Sequence, residues 1–248
     1  MKKTGLCLLF AVSLCAANAY NFDKRFTVCH RSAPDLDKCL ISAIEDGIRT
    51  VGSKGIRALN VPSVDPLKIT RIIIGEGSTA VNLVQKYYNA SITGLSKLKV
   101  KEAHFDLDKN ILTFTSLHPT LEQKAKYDIN GKILVLPIFG KGDSVCVFYD
   151  VEIEHTVKLE EVVKNERKYF RVTDYAGVLS VGKARFDFEN LFNGDKALGE
   201  HILTVVNENW QVLFEDVKGG IETTFSKVFL AVAGQLIDKI PADEILPN

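Results

Sequence analysis

The chain has 248 residues, of which 46% are hydrophobic, and its 31 basic side chains balance 31 acidic ones at a formal net charge of zero. This length accommodates one large domain or two small ones, and the apolar fraction is ample for a buried core. With balanced charge and no basic stripe, the composition is not that of a nucleic-acid-binding protein. After the N-terminus no apolar run approaches the roughly 20 residues of a membrane-spanning helix, so we expect no integral membrane segment.

The N-terminal segment has the pattern of a secretory signal peptide. Lysines follow the first methionine, residues 6–16 are apolar, and Ala17-Asn18-Ala19 is a small-x-small cleavage sequence. We expect residues 1–19 to be removed and residues 20–248 to form the mature, extracellular chain. The alternative is an uncleaved anchor.

The predicted mature chain keeps three cysteines, because cleavage removes Cys7 and Cys15. Cys29 and Cys39 are close in sequence at the start of a predicted helix, and an oxidising environment favours a disulfide between them. Cys146 is then unpaired, and its place in a predicted strand favours a buried, small apolar residue over a reactive thiol. The spacing of cysteines and histidines is not that of metal ligands, so we expect no metal site.

A short helix with one apolar face is predicted near the N-terminus of the mature chain. Leu36, Leu40, Ile44 and Ile48 recur every four residues, with charged residues between them. Gly52 is expected to end this helix.

Residues 68–192 form a predicted β region. Asp108-Lys109-Asn110 and Asn130-Gly131 are turn sequences between alternating segments, and successive hairpins imply an antiparallel sheet. The sequon Asn89-Ala90-Ser91 predicts N-glycosylation of an extracellular protein. In the longest alternating segment, the predicted inward face consists of Val145, Val147, Tyr149, Val151 and Ile153.

Residues 195–240 have the apolar spacing of a second, much longer helix. A continuous helix would run about 70 Å, which exceeds the width of a compact domain of this size, so we expect a kink or break at Gly219-Gly220. The simplest packing surrounds this helix with a curved antiparallel sheet. The sequence therefore predicts an α+β fold, with a long C-terminal helix wrapped by a highly curved sheet and a short N-terminal helix.

Several motifs, in the same order along the chain, match one known family. They are the Cys29/Cys39 pair, the segment from Gly55-Ile56 through Pro62 to Asp65-Pro66-Leu67, Gly131-Lys132-Ile133-Leu134-Val135-Leu136-Pro137-Ile138 with Gly140-x-Gly142, Leu191-Phe192-Asn193-Gly194, Val206-Asn207-Glu208-Asn209-Trp210 and Ile240-Pro241-Ala242-Asp243-Glu244-Ile245. In these motifs, the chain resembles the takeout and juvenile-hormone-binding-protein family of insect secreted proteins over nearly all of residues 20–248.

The resemblance implies one ligand-binding domain over residues 20–248, with a fold related to that of lipid-transfer proteins. Its hydrophobic tunnel would carry a terpenoid, fatty or quinone-like ligand, with no cofactor and no enzymatic activity, in a secreted monomer. The juvenile hormone binders proper usually have a second disulfide. Cys146 has no partner for one, which favours the takeout branch, whose relatives act in hormone delivery, chemosensory transport, feeding or circadian signalling.

Apolar residues of the long helix and of the concave sheet face each other, and incomplete packing between them would leave a ligand cavity. For any one candidate, ordinary core packing is the more frequent role of such a side chain, and ligand contact is the alternative. Tyr149 or Tyr175 could pair with a polar head group. The candidate ligand-binding residues are Phe114, Val147, Tyr149, Val151, Phe186, Phe188, Trp210, Phe214, Phe225 and Phe229.

Two other functions stay open. A protein-interaction or signalling module would have its cavity filled by its own side chains. A hydrolase or isomerase of a lipophilic hormone would need a serine or cysteine hydrogen-bonded to a histidine inside the cavity. The pair to inspect is Cys146 with His104, His118 or His155, and we expect no such contact.

Overall fold

The computed structural model describes residues 26–75 and 80–248. The predicted signal peptide and its cleavage site lie outside these residues. Within them, one antiparallel sheet has the strand order β1-β2-β4-β5-β6, with β3 paired to β4. The strands are β1 (Leu67–Ile74), β2 (Val81–Thr93), β3 (Lys99–Asp106), β4 (Ile111–Ile133), β5 (Leu136–Lys164) and β6 (Arg167–Phe188).

In the part of the chain that the structure describes, four α-helices accompany this sheet. They are α1 (Leu36–Val51), α2 (Lys196–Glu208), α3 (Trp210–Ile237) and the short α4 (Ala242–Ile245). The α+β class, the curved antiparallel sheet, the long C-terminal helix and the short N-terminal helix are confirmed. No helix in the described ranges combines the length and the apolar character needed to cross a membrane.

The length of the central strands requires the sheet to curl. The 29 residues of β5 would extend about 95 Å if the strand were straight, whereas the 28 residues of α3 span only about 42 Å. β4 and β5 pair continuously from Ile111↔Lys158 to Ile133↔Leu136. The strands therefore coil, and the resulting concave face surrounds α3.

The helical region breaks at a different place from the predicted one. Asn209 separates α2 from α3, and its side-chain amide donates to the Val205 carbonyl. Gly219 and Gly220 lie inside α3 without interrupting it. A Cβ at Gly220 would lie 3.4 Å from the Ile74 side chain, so the glycine lets α3 approach β1 closely.

One predicted turn is confirmed and another is wrong. Asp108-Lys109-Asn110 connects β3 to β4, since Asp106 pairs with Ile111. Asn130-Gly131 lies within β4, and the chain reverses three residues later, where Leu134 has a φ of 54°. A Cβ at Gly131 would lie 2.5 Å from the Cβ of Leu83, so this glycine serves close strand packing and not a turn.

Side chains of the C-terminal helices bind the free backbone edge of β6. An edge strand leaves N–H groups without a neighbouring strand, and here helix side chains accept from several of them. The pairs are Val172 N with Asp238 Oδ1 (3.0 Å), Gly177 N with Ser226 Oγ (3.3 Å), Leu179 N with Glu222 Oε1 (2.8 Å) and Phe186 N with Asn207 Oδ1 (2.8 Å).

The opposite side of the sheet is also tied to α3. The Asp216 carboxylate accepts from the backbone N–H groups of Ala80 and Val81, at 2.9 and 2.8 Å, and the Thr224 hydroxyl donates to the Ile73 carbonyl. Helix α3 therefore bridges β6 to the region of β1 and β2, which closes the curved sheet around it.

Helix α1 covers β3 at one end of the molecule. Its side chains Leu40, Ile44 and Ile48 pack on a cluster that includes Leu98 and Val100. The predicted disulfide is confirmed, with the Cα atoms of Cys29 and Cys39 5.7 Å apart. It joins the segment before α1 to the first turns of the helix.

Removing this disulfide should destabilise the protein. Without a disulfide that closes so short a loop, the free energy of unfolding should fall by about 2–3 kcal/mol. Tm of the Cys29→Ser/Cys39→Ser variant should therefore fall by about 4–12 °C. Calorimetry would measure the change. Wild type in reductant should fall to the same Tm, and the variant should not respond to reductant; an unchanged Tm would contradict the stabilising role.

Asp65 fastens the segment before β1 to the turn between β2 and β3. Its carboxylate accepts from Gly94 N at 3.1 Å and from the backbone N–H and the hydroxyl of Ser96 at 2.9 and 2.5 Å. Burial alone would raise the pKa of Asp65, but the hydrogen bonds from Ser96 and Gly94 outweigh it, and the pKa lies below its ordinary value.

Asp65→Asn should therefore destabilise the fold in a pH-dependent way. The neutral amide accepts weaker hydrogen bonds, so the free energy of unfolding should fall by about 1–3 kcal/mol at pH 7. Because the folded-state pKa is depressed, the wild-type advantage is complete above about pH 4 and is lost as pH falls through that pKa. Urea denaturation at pH 7 and at low pH measures it, with exposed Asp108→Asn as the control. An equal difference at both pH values would exclude the charge as its cause.

Candidate functional site

A large apolar cavity lies between α3 and the concave face of the sheet. Its total space is about 1400 Å³ including the part open to solvent, of which about 150 Å³ admits the centre of a water-sized sphere. A single water requires only roughly 10–15 Å³ by the latter measure, so the protein's own side chains do not fill the interior.

One face of α3 forms the inner wall. The lining side chains on this helix include Leu213, Val217, Ile221, Phe225 and Phe229, whose spacing of four residues forms a continuous stripe that turns slowly around the helix. Leu213 and Val217 are buried, whereas Ile221, Phe225 and Phe229 are only partly buried. The C-terminal half of α3 thus turns apolar side chains towards open space, which is unusual for the central helix of a domain.

The structure places six of the ten candidate ligand-binding residues in the cavity lining and four outside it. The six are Val151, Phe186, Phe188, Phe214, Phe225 and Phe229. The four are Phe114, Val147, Tyr149 and Trp210.

Val147 and Tyr149 lie outside the lining because the inward face of β5 changes along the strand. On the N-terminal side of Asp150, the side chains of Cys146 and Phe148 point into the cavity. On its C-terminal side, the side chain of Val151 does so. Asp150 has a φ of 50°, which breaks the two-residue alternation on which the prediction relied.

Phe114 and Trp210 have other neighbours. The ring of Phe114 stacks on His155, with centroids 4.0 Å apart, and neither residue lines the cavity. Trp210 begins α3 and contacts the cavity only indirectly, through Phe214 at a centroid distance of 6.5 Å. The helical spacing placed Trp210 on the same side as Phe214 but could not show where the cavity ends.

The lining carries little charge. Among the described residues its charged members are Glu222 and Glu122, and the Glu122 side chain shares the outer face of the sheet with its cross-strand partner Val147. Glu122 forms an ion pair with Lys124 at 2.9 Å, and Glu222 accepts the hydrogen bond from Leu179 N. Among the described residues, no group of three or more His, Cys, Asp or Glu side chains is placed to hold a metal ion.

Cys146 lies in this wall as a buried free thiol next to Tyr87. Burial raises its pKa to about 12, and burial likewise raises the pKa of Tyr87 well above its ordinary value. The thiol is therefore protonated at neutral pH and behaves as a small apolar side chain.

A chain of buried polar groups projects from the same concave face. Ser116 Oγ lies 3.0 Å from His118 Nε2 and 2.7 Å from His155 Nε2. His155 Nδ1 forms a further, short hydrogen bond with the Tyr175 hydroxyl. Tyr175 is itself in the cavity lining. We call these four residues the polar cluster.

Burial keeps the histidines of the polar cluster uncharged. It lowers the pKa of His118 to about 4 and, with a contribution from His118, that of His155 to about 3. Burial also raises the pKa of Tyr175. His118 Nδ1 is a buried nitrogen without a hydrogen-bond partner among the described residues.

The polar cluster is not predicted by the sequence pattern. Cys146 is the candidate histidine partner from sequence, whereas the contact is made by Ser116, which is fully buried and outside the cavity lining. The available signal was the spacing of Ser116 and His118, which places both side chains on one face of a strand. The pairing of β4 with β5, which brings His155 next to them, is not visible in local sequence.

Comparison with known proteins identifies the surrounding fold. Residues 7–247 match the family model described as Haemolymph juvenile hormone binding protein (JHBP). The chain is 31% and 30% identical to the circadian clock-controlled protein daywake of Drosophila yakuba and of Drosophila melanogaster, over 84% of this chain and 83% of each relative. The crystal structure of Epiphyas postvittana Takeout 1 superimposes with a TM-score of 0.80 at 23% identity, over 90% of this chain and 100% of that one.

The change of face in β5 can be tested with paired substitutions. Val151→Lys would bury an ammonium group in the cavity wall, so we expect loss of folding or of uptake of an apolar fluorescent probe. Val147→Lys should keep its Tm within about 2 °C, since a surface change alters stability little and residue 147 pairs with Glu122 across the strands. Equal tolerance of both substitutions, measured by melting and by probe fluorescence, would contradict the assigned faces.

Proposed function

The chain belongs to the haemolymph juvenile hormone binding protein family, which includes the takeout proteins, and on this premise we propose that it is a secreted carrier of a small hydrophobic ligand. Members of the family bind such ligands. We propose that the cavity between α3 and the sheet holds the ligand, in contact with the lining residues Val151, Phe186, Phe188, Phe214, Phe225 and Phe229.

The observation that carries the proposal is the unfilled apolar space beside α3. A helix surrounded by its own sheet would ordinarily bury its apolar face, yet Phe225 and Phe229 remain partly accessible from within. A ligand that buries roughly 400 Å² of apolar surface gains on the order of 10 kcal/mol. After an association cost of about 4 kcal/mol, about 6 kcal/mol remains, which corresponds to a Kd of tens of micromolar from apolar contact alone.

The cavity favours a carrier over the two alternatives. An interaction module with a filled core would leave no room for a ligand, and about 150 Å³ of accessible space argues against such packing. A hydrolase would need its nucleophile in the cavity wall, whereas Ser116 is fully buried and is not one of the lining residues. We therefore propose a non-enzymatic, monomeric carrier that uses no cofactor.

Secretion is part of the proposal. The N-terminal pattern of residues 1–19 and the Cys29–Cys39 disulfide both support an extracellular setting. We propose N-glycosylation of Asn89, which is exposed at an irregularity of β2. The names of the Drosophila relatives connect those proteins with the circadian clock, and we propose a similar context for this carrier.

The carrier role is tested by native mass spectrometry of the secreted protein. We expect a bound lipophile at close to one-to-one stoichiometry, which organic extraction would release for identification. A protein that arrives empty and also takes up no terpenoid, quinone or other lipophile from a panel would refute the role.

A matched pair on β6 shows whether the cavity is the binding site. Leu179 lines the cavity, whereas its neighbour Val178 is 50% exposed on the other face. Leu179→Trp should fill the space and reduce probe binding at least tenfold with Tm nearly unchanged, because the added ring enters open volume. Val178→Trp should bind the probe like wild type. Equal binding by both variants in fluorescence titration would place the ligand elsewhere.

A further inference from the structure

The polar cluster meets the ligand cavity at Tyr175. The tyrosine lines the cavity beside Gly177, and its ring contacts Phe229 of α3 with centroids 5.6 Å apart. Its hydroxyl is hydrogen-bonded to His155 Nδ1. Tyr175 is therefore the point at which a buried hydrogen-bonding chain reaches an otherwise apolar wall.

The groups behind Tyr175 hold its hydroxyl in place. His155 is fixed on one side by Ser116, at 2.7 Å, and its ring stacks on Phe114. Ser116 is in turn bonded to His118. A phenolic hydroxyl has one donor and two acceptor positions, so with His155 Nδ1–H donating to the phenolic oxygen, Tyr175 keeps its own proton to donate to a ligand oxygen. The Tyr175 hydroxyl is therefore already held in position for this second hydrogen bond when a ligand enters the cavity.

Several other polar groups of the lining are bonded to protein atoms, whereas the Gln123 amide is a second polar side chain of the wall. The Tyr87 hydroxyl donates to Gln85, Gly177 N donates to Ser226, and Leu179 N donates to Glu222. None of the lining side chains in the described residues is a lysine, arginine or histidine. The wall therefore offers hydrogen bonds but no positive charge.

From these observations we propose that Tyr175 is the anchor for an oxygen atom of the ligand, and that the ligand is an uncharged lipophile such as an alcohol, ketone or ester and not a fatty-acid anion. This inference rests on the proposed carrier function. A carboxylate would lose its hydration in this cavity without a cation to replace it, and the lining already contains the Glu222 carboxylate. A neutral oxygen loses much less hydration, and one hydrogen bond replaces it.

The ligand class is tested on the wild-type protein with three probes of equal chain length. Dodecanol, dodecane and dodecanoate compete with the neutral fluorophore N-phenyl-naphthylamine at pH 7.5. Dodecanol should bind about five to ten times more tightly than dodecane, the value of one net hydrogen bond. Dodecanoate should bind at least ten times more weakly than dodecanol. Dodecanoate as tight as dodecanol, or dodecanol no tighter than dodecane, would overturn the inference.

The anchor itself is tested with Tyr175→Phe, and with Tyr149→Phe as the control outside the lining. Tyr175→Phe should remove the preference for dodecanol over dodecane and leave dodecane affinity within about twofold, since the apolar wall is kept. Tyr149→Phe should keep the preference. If Tyr175→Phe retains it, another polar lining group such as Gln123 is the anchor and the proposal fails.

The outcomes separate this inference from the carrier role. A protein that binds all three probes equally is a carrier without the proposed selectivity. A protein that binds neither the fluorophore nor any lipophile refutes the carrier role itself. Should Tyr175→Phe not fold, because His155 loses its buried partner, the wild-type ranking of the three probes still decides the ligand class.

Discussion

The attachment of the C-terminal helices to the free edge of β6 is the constraint on which the rest of the structure depends. A curled sheet that does not close on itself has two edges with unpaired backbone groups. Here Asn207, Glu222, Ser226 and Asp238 accept from N–H groups spread along β6, as a further strand would do. These residues follow one side of the helical region. Their polarity, on helices that are otherwise rich in apolar residues, is explained by this edge.

The cavity follows from that attachment. Helix α3 is held across the opening of the curled sheet by its hydrogen bonds with β6 on one side and, on the other, by the Asp216 carboxylate, which accepts from backbone N–H groups at the start of β2. These hydrogen bonds therefore set the distance between α3 and the concave wall. The packing of the apolar side chains that face the wall does not set it. Where Leu213 and Val217 reach the wall they are buried, and where Phe225 and Phe229 do not, open space remains.

The architecture could be predicted from sequence because it depends on patterns that local physics controls. Apolar residues at every fourth position predicted α1. Segments of alternating apolar and polar residues, separated by turn sequences, predicted an antiparallel sheet. The faces of the strands could not be predicted in the same way. A single residue with positive φ, Asp150, exchanges the inward and outward sides of β5, so Val151 faces the cavity and Val147 does not. Gly131 likewise resembled a turn residue, although the proximity of Leu83 on a neighbouring strand is what requires it.

The polar cluster shows how an apolar cavity can gain a directional contact without gaining charge. Two histidines beside a serine and a tyrosine would suggest ionisation, but burial lowers the pKa of His155 to about 3 and that of His118 to about 4, so both are neutral at physiological pH. Burying these groups costs hydration, which their mutual hydrogen bonds offset. An apolar cluster would have met the needs of packing at least as well. What the polar cluster adds is a fixed hydroxyl at the cavity wall, and a fixed neutral hydroxyl suits recognition of a neutral oxygen atom.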